Sequence, residues 1–394
     1  MTVSGERPFL VAGGGIGGLA AALALAREGA TVVVLEKAPA LGEIGAGLSL
    51  WSNAVIALRR LGVEAAALAA GSVIRRSRTV LAGGKPVAEF DFAALGIRAG
   101  APSICIHRAA LQRILADAVR ANDPDALRTG RECVDFADDA GGVDARFADG
   151  SGERGGFLVG ADGIHSAIRE RLFGHEQLRF AGYLAWRGIA RGRGNLLPPG
   201  EPLVVMGRGA HAGCFHCGEG DIYWFLARNA APGTQPGPRG NRAEVLDVVA
   251  DWRVPFRNFV EATPEAAILR NDVVDRPPRQ VWGVGHVTMV GDAIHGTTPN
   301  LGQGACQALE DAVVLADALR RAASVEAGLR DYEARRRERA NFVIAQSWRF
   351  GNLVQMANPV GIWLRDRPAP TSLARNNTGR LFTRLLCHDL PELA

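Results

Sequence analysis

The hydrophobic positions of the first forty residues follow two patterns in turn. The apolar run "FLVA" is followed by the turn "GGGIGG", by an Ala- and Leu-rich segment that ends near Gly29, and by a second apolar run, "TVVVLEK". Short apolar runs predict buried strands, whereas the longer Ala/Leu segment closed by glycine predicts a helix. The chain therefore opens with a predicted β–α–β unit.

Helical and strand patterns alternate through the rest of the chain. In "HRAALQRILADAVRAN" the residues Leu111, Ile114 and Leu115 share one face, which predicts a helix. The pieces around 133–136 and 143–147 flank "ADDAGG" and predict a hairpin. The other predicted elements are a helix near 54–61, short strands over 71–92, mainly strands over 182–269 with one helix near 243–252, a strand at 287–290, and two final helices at 302–323 and 328–355.

Composition and charge narrow the class of protein. The chain has 394 residues, of which 47% are hydrophobic and 22% charged. No apolar run is long enough for a membrane span, and the N-terminus lacks the apolar stretch of a signal peptide, so we expect a cytoplasmic protein without integral membrane contact. A net charge of +4 is too small to indicate nucleic-acid binding.

Two charged or metal-binding patterns have alternative interpretations. The run "RRRER" at 335–339 could form a basic patch, but acidic neighbours at helical spacing favour a solvated helix face. Cys214 and Cys217 have C-x-x-C spacing with His211 and His216 nearby, which is compatible with zinc or redox chemistry. A second ligand pair is missing, so we expect no metal and reduced thiols.

The glycine turn has the spacing of a nucleotide-binding loop. Gly13, Gly15 and Gly18 satisfy G-x-G-x-x-G between a predicted strand and a predicted helix, so that the backbone and the helix N-terminus can meet a pyrophosphate. Glu36 ends the second strand, where a carboxylate can accept both ribose hydroxyls and repels a 2′-phosphate. These residues predict FAD or NAD rather than NADP, and the alternative is a glycine turn that binds nothing.

Three motifs together resemble one family. They are "GGGIGG…VVVLEK", "GADGIHSAIR" at 160–169, and "GDAIHGTTPNLGQGACQALEDA" at 291–312. In order and spacing they resemble the single-component, class A flavoprotein aromatic hydroxylases of the para-hydroxybenzoate and salicylate hydroxylase type. "GAGLSLWSNAVIALRRLG" and "QSWRFGNLVQMANP" are similar to alkylquinolone hydroxylases, and urate hydroxylases are also similar. The resemblance extends over essentially the whole chain.

The resemblance implies a fold and its domain boundaries. We expect an α/β protein with a discontinuous Rossmann-like FAD-binding domain of the glutathione-reductase type, an interleaved mixed β-sheet substrate domain, and C-terminal helices. The expected boundaries are 1–72, 100–178 and 276–325 for the FAD-binding domain, 73–99 and 179–275 for the substrate domain, and 326–394 for the helical segment.

The resemblance also implies the residues that hold a non-covalent FAD. Asp292 would accept hydrogen bonds from the ribitol, and the N–H groups at the start of the helix near Gly302 would face the flavin ring, where they stabilise negative charge. Pro299 and Asn300 would lie beside the reactive edge of the ring. His295 could act as a base, but a structural role is favoured. The full implied cofactor set is Gly13, Gly15, Gly17, Gly18, Glu36, Lys37, Arg108, Val134, Asp162, Asp292, Gly302, Gln303, Gly304 and Ala305.

A predicted hairpin in the second domain supplies candidate substrate residues. In "HAGCFHCGEGDIYWFLA" strand alternation places His211, Gly213 and Phe215 on one face, and Tyr223 and Phe225 share a face on the second strand. By resemblance His211 and Tyr223 face the substrate, and they join Pro299 and Asn300 as candidate catalytic residues. Phe215 and Phe225 complete the predicted pocket. Alternatively, these aromatic residues are ordinary inter-domain core.

The expected activity follows from the resemblance. It implies an FAD-dependent monooxygenase that hydroxylates a small aromatic or heteroaromatic molecule with NAD(P)H and O₂, through a flavin C4a-hydroperoxide, as a monomer or homodimer. One glycine motif is present, so NAD(P)H should bind transiently. Urate hydroxylases have an arginine at the position of His211 and an acidic residue at that of Asn300, which favours a less polar substrate. An FAD-dependent dehydrogenase or reductase and a non-enzymatic flavin-binding protein remain as alternatives.

Overall fold

The computed structural model describes residues 7–42, 46–366 and 371–393, with the backbone alone for 371–378. The loop "PALGEIGAG" therefore lies partly outside the described residues. The helices are α1 (Ile16–Arg27), α2 (Ser52–Arg60), α3 (Glu64–Ala70), α4 (Phe92–Ala99), α5 (Arg108–Asn122), α6 (Ala167–Phe173), α7 (Gly240–Val248), α8 (Phe256–Glu261), α9 (Asp292–His295), α10 (Gly304–Arg321), α11 (Val325–Val354), α12 (Pro359–Arg365) and α13 (Thr371–Leu386).

The strands form four sheets among the described residues. In chain order they are β1 (Phe9–Ala12), β2 (Val32–Glu36), β3 (Gly47–Leu50), β4 (Ser72–Ile74), β5 (Arg76–Leu81), β6 (Pro86–Asp91), β7 (Ser103–His107), β8 (Leu127–Thr129), β9 (Cys133–Asp139), β10 (Gly142–Phe147), β11 (Gly152–Gly155), β12 (Leu158–Gly160), β13 (Arg179–Ala190), β14 (Leu203–Met206), β15 (Ala210–His216), β16 (Ile222–Asn229), β17 (Leu269–Asp275) and β18 (Val287–Met289).

A five-stranded parallel sheet lies at the centre of the first domain. Its order is β18-β12-β1-β2-β8, and every adjacent pair is parallel. The strands β1 and β18 are buried along their whole length. Continuous burial is expected where helices cover both faces of a parallel sheet, and it explains why β1 is an unbroken apolar run. The predicted β–α–β opening is confirmed.

Helix α1 packs closely against α10. Gly17 lies at this contact, since a Cβ added there would lie 3.3 Å from the Ala308 Cβ. Most alanines and leucines of α1 are buried, as are most apolar residues of α10. The two helices therefore bring the glycine turn and the 291–303 segment to the same end of the parallel sheet.

A seven-stranded mixed sheet forms the second layer. Its order is β17-β13-β16-β15-β14-β5-β6, antiparallel throughout except for the parallel pair β14–β5. One face packs on α8 through a core that includes Cys214, Trp224 and Phe256. The opposite face packs toward the first domain through Ile189 and Phe215. The predicted mixed sheet is confirmed, and the predicted domain boundaries stay a prediction.

Several details of the sequence prediction were incomplete. The predicted hairpin of β9 and β10 is confirmed, but β11, which pairs with β10, was missed. The second domain contains α8 in addition to the one predicted helix. The helices predicted at 302–323 and 328–355 are confirmed as α10 and α11, but they are not the last two, because α12 and α13 follow. Among the described residues, none of the helices is both long enough and apolar enough to cross a bilayer.

The interpretation of "RRRER" as a solvated helix face was wrong for two of its arginines. Arg336 is buried in α11 and bonds both Glu310 and Asp311 of α10, and Arg339 bonds Glu310. Arg335 pairs with Asp317, which is also buried. Buried carboxylates on α10 require buried cations on the helix packed against it, and this requirement outweighs the local charge pattern within α11.

Candidate active site

The glycine turn after β1 is shaped by close backbone contacts. Gly13 has a φ of +115°, and a Cβ there would collide with the carbonyl oxygen of Ala161. A Cβ at Gly18 would collide with the Gly13 carbonyl oxygen, so neither position accepts a side chain. A Cβ at Gly15, in contrast, would meet no atom of the described residues within 4 Å. The turn therefore leaves open space beside Gly15, at the N-terminus of α1.

Glu36 holds this turn from the end of β2. Its Oε2 accepts a hydrogen bond from the Gly14 N–H at 2.6 Å, and its Oε1 accepts one from the Ala38 N–H at 2.8 Å. A carboxylate has about four acceptor positions, so each oxygen can accept a further bond. Lys37 next to it is exposed. The sequence did not reveal Gln112 of α5, whose Nε2 donates to the Gly14 carbonyl at 2.8 Å.

The "GADGIHSAIR" motif runs from the last residue of β12 through a turn into the first residues of α6. Asp162 lies in the turn, and its Oδ2 accepts from the Ile168 N–H at 3.2 Å. Its Oδ1 is buried without a hydrogen-bond partner among the described residues. Burial raises the pKa of Asp162. Val134, at the start of β9, is 42% exposed, which is unusual for a strand valine.

The segment after β18 begins with a strained glycine and an open carboxylate. Gly291 has a φ of +60° and caps α9, and Asp292 follows it. The Asp292 side chain is exposed, yet its carboxyl group lies deep among protein atoms, and this desolvation raises its pKa against the favourable charges of His295 and Arg108. Arg108, at the first turn of α5, is desolvated as well, which lowers its pKa. Asp292 and Arg108 thus lie close together in a crevice.

The second half of this segment leads into α10. Pro299–Leu301 form a short 3₁₀ turn, and Gly302 follows with a φ of +61°. The first hydrogen bond of the helix is donated by the Gln307 N–H to the Gln303 carbonyl. The N–H groups of Gly304 and Ala305 precede it and point out of the helix end. Gly304 and Ala305 are half-buried, whereas Gln303 is buried.

These features fit an FAD molecule. The open space at Gly15, the orphaned Asp162 Oδ1, the exposed Asp292 and the start of α10 all occur in the segments that the sequence motifs identified. Helix N-termini bind phosphate and other negative charge, and carboxylates accept hydrogen bonds from sugar-type hydroxyls. Gly17 differs from the other glycines of the turn after β1, because it faces Ala308 of α10.

His295 and Asn300 have protein partners. The Nε2 of His295, a buried residue, lies 2.5 Å from Asp311 Oδ2, which favours a structural role over that of a base. The Asn300 Oδ1 accepts from the Tyr183 hydroxyl at 2.6 Å, and its Nδ2 is buried without a partner among the described residues. Pro299 opens the turn that places Asn300 against α11, where Gly351 leaves room for its amide.

The structure brings the four predicted pocket residues together on one face of the mixed sheet. The ring of His211 meets that of Phe225 edge-on at 5.3 Å, and Phe215, Tyr223 and Phe225 lie 6.3–6.4 Å apart. His211 and Phe215 are buried, while Tyr223 and Phe225 are half-buried. Tyr223 packs directly on Gly47 of β3. The predicted alternation along β15 is confirmed, because Cys214 lies in the core of the opposite face.

Burial sets the charge state of this face. Desolvation, with a smaller contribution from Arg365, lowers the pKa of His211 to about 4, so the imidazole is neutral at pH 7. Its Nδ1 is buried and has no hydrogen-bond partner among the described residues. Desolvation also raises the pKa of Tyr223, which is therefore a neutral phenol. His211 and Tyr223 can therefore each form a hydrogen bond with a ligand while remaining uncharged.

Arg187 was missed by sequence reasoning. It lies on β13, where it pairs with Phe225 in the antiparallel ladder, and its guanidinium donates to Asn271 Oδ1 at 2.7 Å. Its charge acts on both Arg108 and Tyr223, so it lies near both residues. An arginine with a buried, unpartnered Nε is a candidate for contact with an oxygen-bearing ligand. The sequence signal that could have identified Arg187 is a cation among the apolar residues of β13.

Cys214 and Cys217 do not share a site. Cys214 is in the core behind the sheet, and Cys217 lies 3.5 Å from His107 Nε2. His211, on the opposite face from Cys214, packs edge-on in the aromatic cluster. Burial raises the pKa of the Cys217 thiol to about 12. Over the part of the chain that the structure describes, no group of three or more potential ligands could hold a metal ion.

Comparison with known proteins identifies the family. The model of the FAD binding domain family matches residues 6–184 and 274–347. The chain is 40% identical over 358 residues to the aurachin C monooxygenase/isomerase of Stigmatella aurantiaca, covering 91% of this chain and 92% of that protein. It is 32% identical over 340 residues to the FAD-dependent urate hydroxylase of Klebsiella pneumoniae, covering 86% and 88%.

A solved structure has the same fold. The crystal structure of Klebsiella pneumoniae HpxO complexed with FAD and uric acid superimposes with a TM-score of 0.87 at 30% identity, covering 97% of each chain. That protein binds FAD and a small ring compound within the same architecture. The chain therefore belongs to the FAD binding domain family and is an FAD-dependent monooxygenase.

Proposed function

We propose that this monooxygenase uses NAD(P)H and O₂ to hydroxylate a neutral aromatic or heteroaromatic compound that is larger and less polar than urate. The observation that most favours this proposal is the aromatic face formed by His211, Phe215, Tyr223 and Phe225. Its two polar members are uncharged at pH 7, since burial lowers the pKa of His211 and raises that of Tyr223. A neutral, ring-rich surface favours flat apolar ligands with few polar groups.

The relatives support the same substrate class. The relative with 40% identity is named for aurachin C and the one with 32% identity for urate, so related chains act on different compounds. By the resemblance of the sequences, His211 stands where urate hydroxylases have an arginine. Because a buried neutral imidazole cannot pair with an anionic ring as a guanidinium does, we propose that urate is not the substrate.

The proposed FAD site uses residues from five segments of the chain. The open space at Gly15 and the start of α1 would receive the pyrophosphate, Glu36 the ribose, and Asp292 the ribitol hydroxyls. Asp162, Val134, Lys37 and Arg108 would complete the site. Bound FAD supplies the redox chemistry that takes a hydride from NAD(P)H and activates O₂. The N–H groups at the start of α10 would favour negative charge on the flavin ring.

The remaining task of the protein is to orient the substrate. We propose that Tyr223 and His211 hydrogen-bond its polar groups. Pro299 and Asn300, held by Tyr183, would close the opposite side. The aromatic residues exclude water from the reacting centre, which limits the side reaction that releases peroxide.

A substrate screen tests the proposal. Purified protein with FAD is mixed with NADH or NADPH and a panel of quinolones, other bicyclic heteroaromatics, phenols and urate, while nucleotide consumption and peroxide release are both measured. We expect a neutral bicyclic compound to stimulate consumption with little peroxide, and ¹⁸O from labelled O₂ to enter the product. Efficient, ¹⁸O-incorporating turnover of urate, with none for neutral ring compounds, would contradict the proposed substrate class.

A further inference from the structure

A buried network of polar side chains lies beneath the segment 291–303. Its centre is Arg336 of α11, which is 1% exposed. The guanidinium donates from Nε to Asp311 Oδ1 at 2.8 Å and from NH1 to Glu310 Oε2 at 2.5 Å. It also donates from NH2 to Gln307 Oε1 at 2.8 Å. The Arg336 side chain thus binds three polar residues of α10, namely Gln307, Glu310 and Asp311.

Asp311 connects this network to the start of the segment. Its Oδ2 accepts from the Gly291 N–H at 2.9 Å and lies 2.5 Å from His295 Nε2. Gly291 directly precedes Asp292, and His295 ends the helical turn α9 that begins with Asp292. The carboxylate that Arg336 orients therefore fixes the turn on which Asp292 is mounted.

Gln307 and Glu310 connect the same network to the end of the segment. Gln303 Oε1 accepts from Gln307 Nε2 at 3.1 Å and from Asn53 Nδ2 at 3.0 Å. Asn53 Nδ2 also donates to Glu310 Oε1 at 2.6 Å. Gln303 caps α10 directly before Gly304, so both ends of the segment are tied to Arg336 through one intermediate residue.

We propose that Arg336 is a positioning residue that fixes Asp292 and the start of α10 relative to each other for FAD binding. It is too deeply buried to touch the cofactor, and it acts through Asp311 and Gln307. An arginine suits this role, because its planar fork donates in several fixed directions at once. A lysine at this position keeps the positive charge but has one ammonium group, which cannot hold the three partners in this geometry.

The main test compares Arg336→Lys with Arg335→Lys. Arg335 is the neighbouring residue on α11 and also pairs with a buried α10 carboxylate, Asp317, but it has no bond to the network of Gly291 and Gln303. Each variant is purified, stripped of FAD and titrated with FAD by fluorescence quenching. We expect the dissociation constant for FAD to rise about ten-fold or more in Arg336→Lys and to change less than about two-fold in Arg335→Lys.

A measurement on the apoprotein separates positioning from general stability. Hydrogen exchange of the Gly291 amide reports its bond to Asp311 without any cofactor. We expect faster exchange at Gly291 in Arg336→Lys than in Arg335→Lys, when both have similar melting temperatures. If Arg336→Lys lowers the melting temperature but leaves both Gly291 exchange and FAD affinity as in the wild type, the residue is only structural and the proposal is wrong.

A milder variant covers the case in which Arg336→Lys does not fold. Gln307→Met removes the shorter link between Arg336 and Gln303, which runs through Gln307, and leaves the longer one through Asn53 and Glu310. It also leaves Glu310, Asp311 and Arg336 paired. We expect weaker FAD binding in this variant, with Gly291 exchange unchanged because the Asp311 end is intact. Wild-type FAD affinity in Gln307→Met would overturn the proposed link to the start of α10.

Discussion

At the scale of single residues, Asp292 is the most exposed carboxylate of the site and also one of the most strongly desolvated. Desolvation raises its pKa even though the charges of His295 and Arg108 oppose that shift. A carboxylate held in this way gains from any ligand that donates hydrogen bonds to it. Hydrogen bonds from hydroxyl groups of a ligand therefore offset the desolvation free energy of this carboxylate.

Removal of this carboxylate gives the first residue-scale prediction. Asp292→Ala should lower FAD affinity by about ten-fold or more, because each hydrogen bond to a charged acceptor contributes about 1.5–3 kcal/mol. Fluorescence titration of apoprotein with FAD measures the change. Asp251→Ala, at an exposed position outside the site, is the control. Equal affinity in Asp292→Ala and wild type would show that Asp292 does not bind the cofactor.

Some residues of the site could be predicted from the sequence, and others could not. Gly13, Gly18 and Asp292 stand at fixed offsets from a strand end, where local chemistry restricts the residue type, so the motif alone places them. Arg187, Gln112 and Arg336 gain their surroundings from strands and helices far away in the chain. Tertiary contacts of this type leave no local pattern, and Arg336 was misinterpreted for that reason.

At the scale of elements, the strands β15 and β16 decide which residues face the first domain. Strand alternation was predictable, because a period of two residues is a geometric property of the strand. The ladder pairs Phe215 with Tyr223 and Gly213 with Phe225. Gly213 leaves room for the Phe225 ring, since a Cβ there would lie 2.9 Å from its Cζ. The hairpin thereby presents a continuous row of rings on one face.

This arrangement predicts how substitutions on the hairpin affect coupling. Tyr223→Phe keeps the ring and removes only the hydroxyl group, so packing on Gly47 should persist. We expect FAD content to stay intact, while the fraction of NAD(P)H diverted to peroxide rises several-fold on the true substrate, because a lost hydrogen bond of about 0.5–1.5 kcal/mol leaves the ring less well oriented. His211→Ala should act in the same direction.

The control for the hairpin is Cys217→Ser, near the turn, where the thiol contacts His107. It should alter coupling less than Tyr223→Phe does. The measurement is the ratio of peroxide to nucleotide consumed. Wild-type ratios in both Tyr223→Phe and His211→Ala would favour the alternative in which these rings are inter-domain core, and would direct the search for the pocket to other surfaces.

At the scale of the whole molecule, the parallel sheet and the mixed sheet were predictable because their strands follow simple apolar patterns. The last two helices were not, since α12 exposes several large apolar residues and the position of α13 depends on contacts such as those of Arg339 with the carbonyl groups of Arg384 and Leu385. Arg339 binds Glu310 as well, which ties α13 to the network beneath the cofactor segment. Helix α13, which lies outside the family match, therefore stabilises the first domain.

Burial of ionisable groups makes the stability of the molecule depend on pH in opposing ways. The pKa of His211 is lowered to about 4 by burial, so the folded state binds fewer protons than the unfolded state between about pH 6.5 and 4. The contribution of His211 to the free energy of unfolding is therefore fully present above about pH 6.5 and is lost as the pH falls toward about 4. Asp162, Asp292 and Glu333 have raised pKa values and contribute with the opposite sign.

A comparison of apoproteins isolates the part due to His211, because the other groups are common to both chains. His211→Asn has no proton to bind at this position, so its free energy of unfolding should fall less steeply than that of the wild type as the pH is lowered from about 6.5 to about 4.5. The expected difference in slope is about 1.4 kcal/mol per pH unit. Urea unfolding at several pH values measures it, and between pH 7 and 8 the two slopes should agree. Parallel curves down to pH 4.5 would show that His211 is protonated in the folded protein and that the face it shares with Tyr223 is open to water.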